Sequence, residues 1–249
     1  MHALGISLIV FSCIFGGALL GFLLHNILPE PHLSPESRQV VNLGMGVIGT
    51  MSALVLGLLV ASAKGTYDAQ SNEVLDVSGK VMFLDQMLRD YGPESQEARN
   101  QLRITIQDAI NRIWPKERTG HVQLESPDST KLLREIQQLT PKDETQRTIK
   151  GQVISTAMSL MQTRCLAVAQ QGISTSIPLL VILIFWFVIN FISLGLYAPR
   201  NGTVMATLFL CALAVSGAIF LILELSNPLG GLFRVSSGPL RVALAHLGH

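Results

Sequence analysis

Four stretches of this chain are almost wholly apolar for twenty residues or more: roughly 4–28, 40–63, 177–198 and 202–225. As helices rising about 1.5 Å per residue, each is long enough to cross about 30 Å of hydrocarbon. Between the second and third the pattern changes. Leu102, Ile106, Ile110 and Ile113 recur on one helical face, as do Leu132, Leu133, Ile136 and Leu139, with polar residues opposite. Pro93, Trp114-Pro115, Ser126-Pro127 and Thr140-Pro141 punctuate this stretch into helices of about two to six turns. The pattern predicts an all-α integral membrane protein with four transmembrane helices and a helical cytoplasmic insert. Its segments are 1–64 (transmembrane helices 1 and 2), 65–172 (the insert), 173–226 (helices 3 and 4) and 227–249 (a cytoplasmic C-terminal tail).

Composition supports the membrane assignment. Mean hydropathy is +0.43 and charged residues make up 14% of the 249-residue chain, against about 25% in ordinary soluble domains. The formal net charge of +1 exerts no pull toward nucleic acid. The insert is itself neutral, with 14 Lys/Arg and 14 Asp/Glu over residues 64–172, as expected of solvated helix faces. The first span has no basic leader and no clear small-x-small cleavage site before His25, so it is read as a retained helix rather than a signal peptide.

Orientation follows from the basic residues beside the spans. Lys64, Lys80, Arg164, Arg234 and Arg241 fall on one side, and Arg38 and Arg200 on the other. The richer side is assigned to the cytoplasm, so both termini and the insert face inward and only two short loops face outward.

No catalytic motif is present: there is no P-loop, no GxGxxG after a strand, no G-x-S-x-G and no HExxH. The expectation is a protein that is not an enzyme and has no cofactor. Cys13, Cys165 and Cys211 have no CxxC spacing and read as small apolar filler, and the scattered histidines indicate no metal site.

The second span places a small residue at every fourth position: Gly49, Ala53, Gly57, Ala61 and Gly65. Membrane helices associate through close packing at small residues, so this stripe reads as a helix contact. Cys13, Gly17 and Gly21 form a matching row on helix 1, and pairing of helices 1 and 2 is the simplest expectation. Another face of helix 2 presents Ser52, Val55, Leu59, Ser62 and Thr66. A ring of such faces would make a wettable passage with an apolar constriction. The alternative is that these hydroxyls only bond their own helix backbone.

Glu224 is the one ionisable residue deep in the last two spans, with Arg234 or Lys64 as its expected partner. Asn190, in the middle of helix 3, is expected to bond another helix. His25, Asn42, Arg38 and Arg200 are placed around an outer vestibule.

Two stretches resemble the bestrophin superfamily, and more closely its bacterial bestrophin-like branch. VLGLLVASAKGTY (55–67) is similar to the pore-lining second helix of bestrophins, and ELSNPLGG (224–231) to the glutamate and Asn-Pro-Phe-Gly that follow their fourth helix. The tail from ISLGLYAPRN to SSGPLR and the four-helix layout agree with that branch. The resemblance implies a homopentamer around one ion-conducting pore, with lipids, inorganic ions and its own copies as partners. Aligned on the Leu56-Gly57 pair, it implies a hydrophobic neck of Thr50, Leu54 and Leu58, with Ser62, Lys64 and Thr66 toward the inner mouth. This face differs by about 100° of helix rotation from the one the hydroxyls select. Where calcium-gated bestrophins have an acidic cluster, this chain reads GLFRVSS with Arg234, so no calcium site is expected there.

Overall fold

The computed structural model describes residues 2–29, 35–114, 129–170, 177–199, 201–228 and 230–247. These form eight α-helices and no strand: α1 (His2–Ile27), α2 (Pro35–Tyr91), α3 (Gln96–Ile113), α4 (Ser129–Gln138), α5 (Glu144–Gln170), α6 (Ile177–Tyr197), α7 (Gly202–Leu225) and α8 (Gly238–His246). Pro115, Ser126, Pro127, Arg200 and Leu229, named above, lie outside the described residues. Four helices, α1, α2, α6 and α7, are long and apolar enough to cross a membrane.

The chain separates into two compact units, residues 1–66 with 174–227 and residues 67–173 with 228–249. Helix α2 contributes to both. It does not break where its composition turns polar near residue 64, because no proline interrupts it and pairs such as Asp76–Lys80 (2.8 Å) support the polar stretch.

In the first unit α1 packs along α6 and α7. Val10, Ile14, Ala18 and Phe22 on α1 meet Leu180 and Phe191 on α6 and Leu208, Ala212 and Ile219 on α7. The expected pairing of α1 with α2 is thus corrected: Gly17 and Gly21 of α1 face α6. A Cβ on Gly17 would stand 3.1 Å from the Val188 carbonyl, and one on Gly21 only 2.2 Å from that of Ile192. From the other side, a Cβ on Gly195 would fall 2.1 Å from the Ala18 carbonyl. Backbone meets backbone here, and α6 supplies a small residue, Gly195, that the four-residue rows of the first two spans did not include. His25 Nδ1 adds a hydrogen bond with the Leu196 carbonyl at 2.9 Å.

The second unit has its own core. Leu102, Ile106 and Ile110 of α3, with Leu132, Ile136 and Leu139, are buried in one cluster with Val81, Leu84 and Leu88 of α2, whereas Ile113 and Leu133 from the same predicted faces are half-buried. Leu240 and Ala243 of α8 belong to the same core, and Trp114 Nε1 donates to the Val235 carbonyl at 2.8 Å. The C-terminal segment, separate from the insert in the sequence, is therefore part of this unit.

Helix α2 ends at Gly92, whose φ of 117° and ψ of −175° suit glycine alone. The buried Ser95 hydroxyl then shares its one proton between the carbonyls of Leu88 and Gly92, serving one of the terminal carbonyls of the helix. Lys150 Nζ caps α4 from α5, donating to the carbonyls of Gln137 (2.8 Å) and Leu139 (2.7 Å).

Across the same corner the Lys142 ammonium donates to the Glu94 carboxylate. That hydrogen bond holds the Glu94 carboxyl below its usual range and the Lys142 ammonium above its own. The depressed Glu94 contributes stability that is present above its unfolded pKa and lost as pH falls through the folded one. The raised Lys142 contribution is lost only as pH rises through its folded value. Both groups are exposed, so the effect is small and screened by salt. Urea titrations of Glu94→Gln and wild type should differ at neutral pH and converge in acid; a gap that persists in acid would contradict this.

Candidate functional site

Helix α2 is amphipathic in an unusual sense within its apolar stretch: one side is packed inside the protomer and the other is not. Leu59 and Ala63 form a buried cluster with Leu183 of α6 and Ile222 of α7, flanked by Val55, Leu56, Phe187 and Leu225. Ser52 is fully buried, and its hydroxyl donates to the Ile48 carbonyl of its own helix at 2.7 Å. Ser52 and Leu59, part of the hydroxyl-bearing face read from the sequence, are thereby removed from any surface open in the protomer. Ser62 and Thr66, from the same list, remain exposed.

The opposite side is uncovered. Leu54 is 75% exposed and Leu58 63%, with Thr50 exposed a turn before them. Thr50 Oγ1 donates to the Val47 carbonyl (2.8 Å) and Thr66 Oγ1 to the Ser62 carbonyl (3.1 Å), so both hydroxyl protons are held by their own helix while their oxygens can still accept. Lys64 is exposed beside them.

The small-residue stripe adjoins this uncovered side. Ala53, Gly57, Ala61 and Gly65 are exposed, and a Cβ on Gly57 or Gly65 would meet nothing within 4 Å. Gly49 has a neighbour inside the chain: its Cβ would stand 3.7 Å from Asn190 Oδ1. Among the described residues Asn190 bonds its own helix instead of the other helix expected; its Nδ2 donates to the Trp186 carbonyl of α6 at 3.0 Å. Glu224 is 5% exposed near the end of α7. Arg38 lies 5.9 Å over the Tyr197 ring. Cys13, Cys165 and Cys211 are exposed rather than filling a core. Among the described residues no group of three His, Cys, Asp or Glu gathers as a metal site.

The second unit contains a feature that the sequence reading missed. A cavity of about 230 Å³ opens between α2, α3, α4 and α5, lined mainly by apolar side chains such as Val74, Val77, Leu102 and Ile106. Gln70, Glu73, Arg112 and Arg164 also line it. No local signal marks it, because each lining residue is an ordinary member of an amphipathic helix.

These features define a polytopic all-α membrane protein with a helical insert between its second and third spans. The model of the Bestrophin-like domain matches residues 12–240, and the chain belongs to the bestrophin-like family. A crystal structure of a bacterial bestrophin homolog from Klebsiella pneumoniae, carrying an isoleucine-to-threonine mutation, superposes with a TM-score of 0.65 at 12% identity. The match covers 96% of this chain and 97% of that one. At this identity the likeness concerns the fold. No curated protein matches the chain by sequence.

Proposed function

We propose that the protein is an ion-conducting pore of the bacterial inner membrane, assembled from several copies with the uncovered side of α2 toward the axis. The observation that supports this most is the division of α2. Ser52 and Leu59 are buried within the protomer, whereas Leu54 and Leu58 are left open on a helix of membrane-spanning length. Thr50, Leu54 and Leu58 form the constriction, and an apolar ring of this kind gates by dewetting. Ser62 and Thr66 offer hydroxyl oxygens, and the ammonium of Lys64 at the inner mouth favours anions, since no Asp or Glu lies between residues 37 and 67. The open stripe of Ala53, Gly57, Ala61 and Gly65 lets a neighbouring copy approach closely, and family membership favours a pentamer with cytoplasmic termini.

The test is the reversal potential of the purified protein in planar bilayers under a KCl gradient. Reversal near the chloride potential is expected, with conductance raised by Leu54→Ala. Unchanged conductance in both Leu54→Ala and Leu58→Ala would remove these residues from the neck. Reversal near the potassium potential would move attention to Glu224.

A second reading, a membrane-anchored scaffold acting through its insert, is favoured by the independent core of the second unit. Silent bilayers for both wild type and Leu54→Ala would support it. A fragment used to seek partners should retain residues 228–247, because α8 completes that core.

A further inference from the structure

The cavity in the second unit has an apolar body and two polar groups whose chemistry is not matched. Gln70 Oε1 is buried and accepts no hydrogen bond among the described residues. Glu73, about one turn further along α2, has no ion-pair partner among them either. The cationic groups of the same lining are already engaged: Arg112 pairs with Asp108 at 2.8 Å, and Arg164 makes a polar interaction of its own. What the cavity lacks is therefore a donor or a positive charge, not an acceptor.

We propose that this cavity is a binding site for a small amphipathic amine, its apolar part among the α3 and α5 side chains and its ammonium between Gln70 and Glu73. The volume exceeds the roughly 150 Å³ of cavities that take up a single aromatic ring. Burial, with the like charge of Asp76 as a smaller influence, already pushes the Glu73 carboxyl above its usual range, as expected of an acid deprived of a counter-ion. An ammonium donates to both unmatched acceptors, restores a counter-ion and leaves the Arg112–Asp108 pair in place. A carboxylate would instead have to compete with partners that the arginines already hold. The site lies wholly within the second unit and does not depend on ion conduction.

The test uses the full chain in lipid nanodiscs with phenylbutylamine, phenylbutanol and phenylbutyrate as probes, each corrected for uptake by empty nanodiscs. Trp114 lines the cavity and reports occupancy when Trp186, the other tryptophan, is replaced by phenylalanine. Saturable binding of the amine, at least about tenfold tighter than that of the carboxylate, is expected. Glu73→Gln should erase that preference while leaving the alcohol unchanged, and Ala109→Phe or Met161→Phe should fill the space and abolish all three. Glu73→Gln conserves shape, so the result is readable even if the filled variants fold poorly. Absence of saturable binding, preference for phenylbutyrate, or amine binding that is indifferent to Glu73→Gln would each overturn the proposal.

Discussion

Gly195→Ala is expected to destabilise the membrane unit severely. The new methyl would fall 2.1 Å from the carbonyl oxygen of Ala18 and 3.0 Å from its carbon, both main-chain atoms that no rotamer change can move. The fully buried Ala18 side chain leaves the α1 backbone no adjacent room, so α1 and α6 would have to separate along their contact. Overpacking a tight core costs about 1–3 kcal/mol and occasionally more. A backbone-to-backbone clash belongs at or above the upper end. Gly21→Ala, 2.2 Å from the Ile192 carbonyl, should behave similarly. Gly16→Ala, with nothing within 4 Å, is the control and should be neutral or slightly stabilising, since alanine favours a helix by up to about 1 kcal/mol over glycine. Thermal unfolding in one detergent, read by size exclusion, would check this. Equal midpoints for Gly195→Ala and Gly16→Ala would disprove the seam.

The second large effect concerns Asp85 in the other unit. Its side chain is 6% exposed and accepts from Arg99 Nε at 2.8 Å and from Arg89 Nη2 at 3.2 Å, joining α2 to α3. Removing one member of a buried pair costs about 3–5 kcal/mol, mainly because the remaining charge is stranded. Arg99 is 16% exposed and Arg89 44%, so water can reach the arginines in part. Asp85→Ala should therefore cost about 3 kcal/mol, at the lower end of that range. Asp85→Leu combined with Arg99→Met should recover much of the loss, because no charge is then left buried without its partner. Urea unfolding followed through Trp114 in the Trp186→Phe background measures both. A loss below about 1 kcal/mol for Asp85→Ala would mean that the pair behaves as an exposed one.

The bestrophin-like family was legible in two short strings, VLGLLVASAKGTY and ELSNPLGG, although neither says how the helices that bear them pair. The reading of α2 shows the limit most clearly. Hydroxyl periodicity selected Ser52 and Leu59, and an aligned Leu-Gly landmark selected Leu54 and Leu58. Both rows are regular at helical spacing, so periodicity had no means of choosing. Contact with Leu183 and Ile222 placed Leu59 on the packed side, and Ser52 is buried as well.

By itself the sequence determined the four spans, the helical nature of the insert and the inward faces of α3 and α4. These follow from run length and from the helical repeat of apolar residues, both local properties of the chain. Only the tertiary structure decided that Gly17 and Gly21 of α1 face α6 and that Gly195 meets Ala18, that α8 completes the core of the second unit, and that a cavity opens beside Gln70 and Glu73. The physical reason differs between the two units. Helices in lipid gain little hydrophobic energy from one partner over another, so backbone fit selects the neighbour. In the second unit, how side chains from four or five helices fill shared space depends on all of them at once.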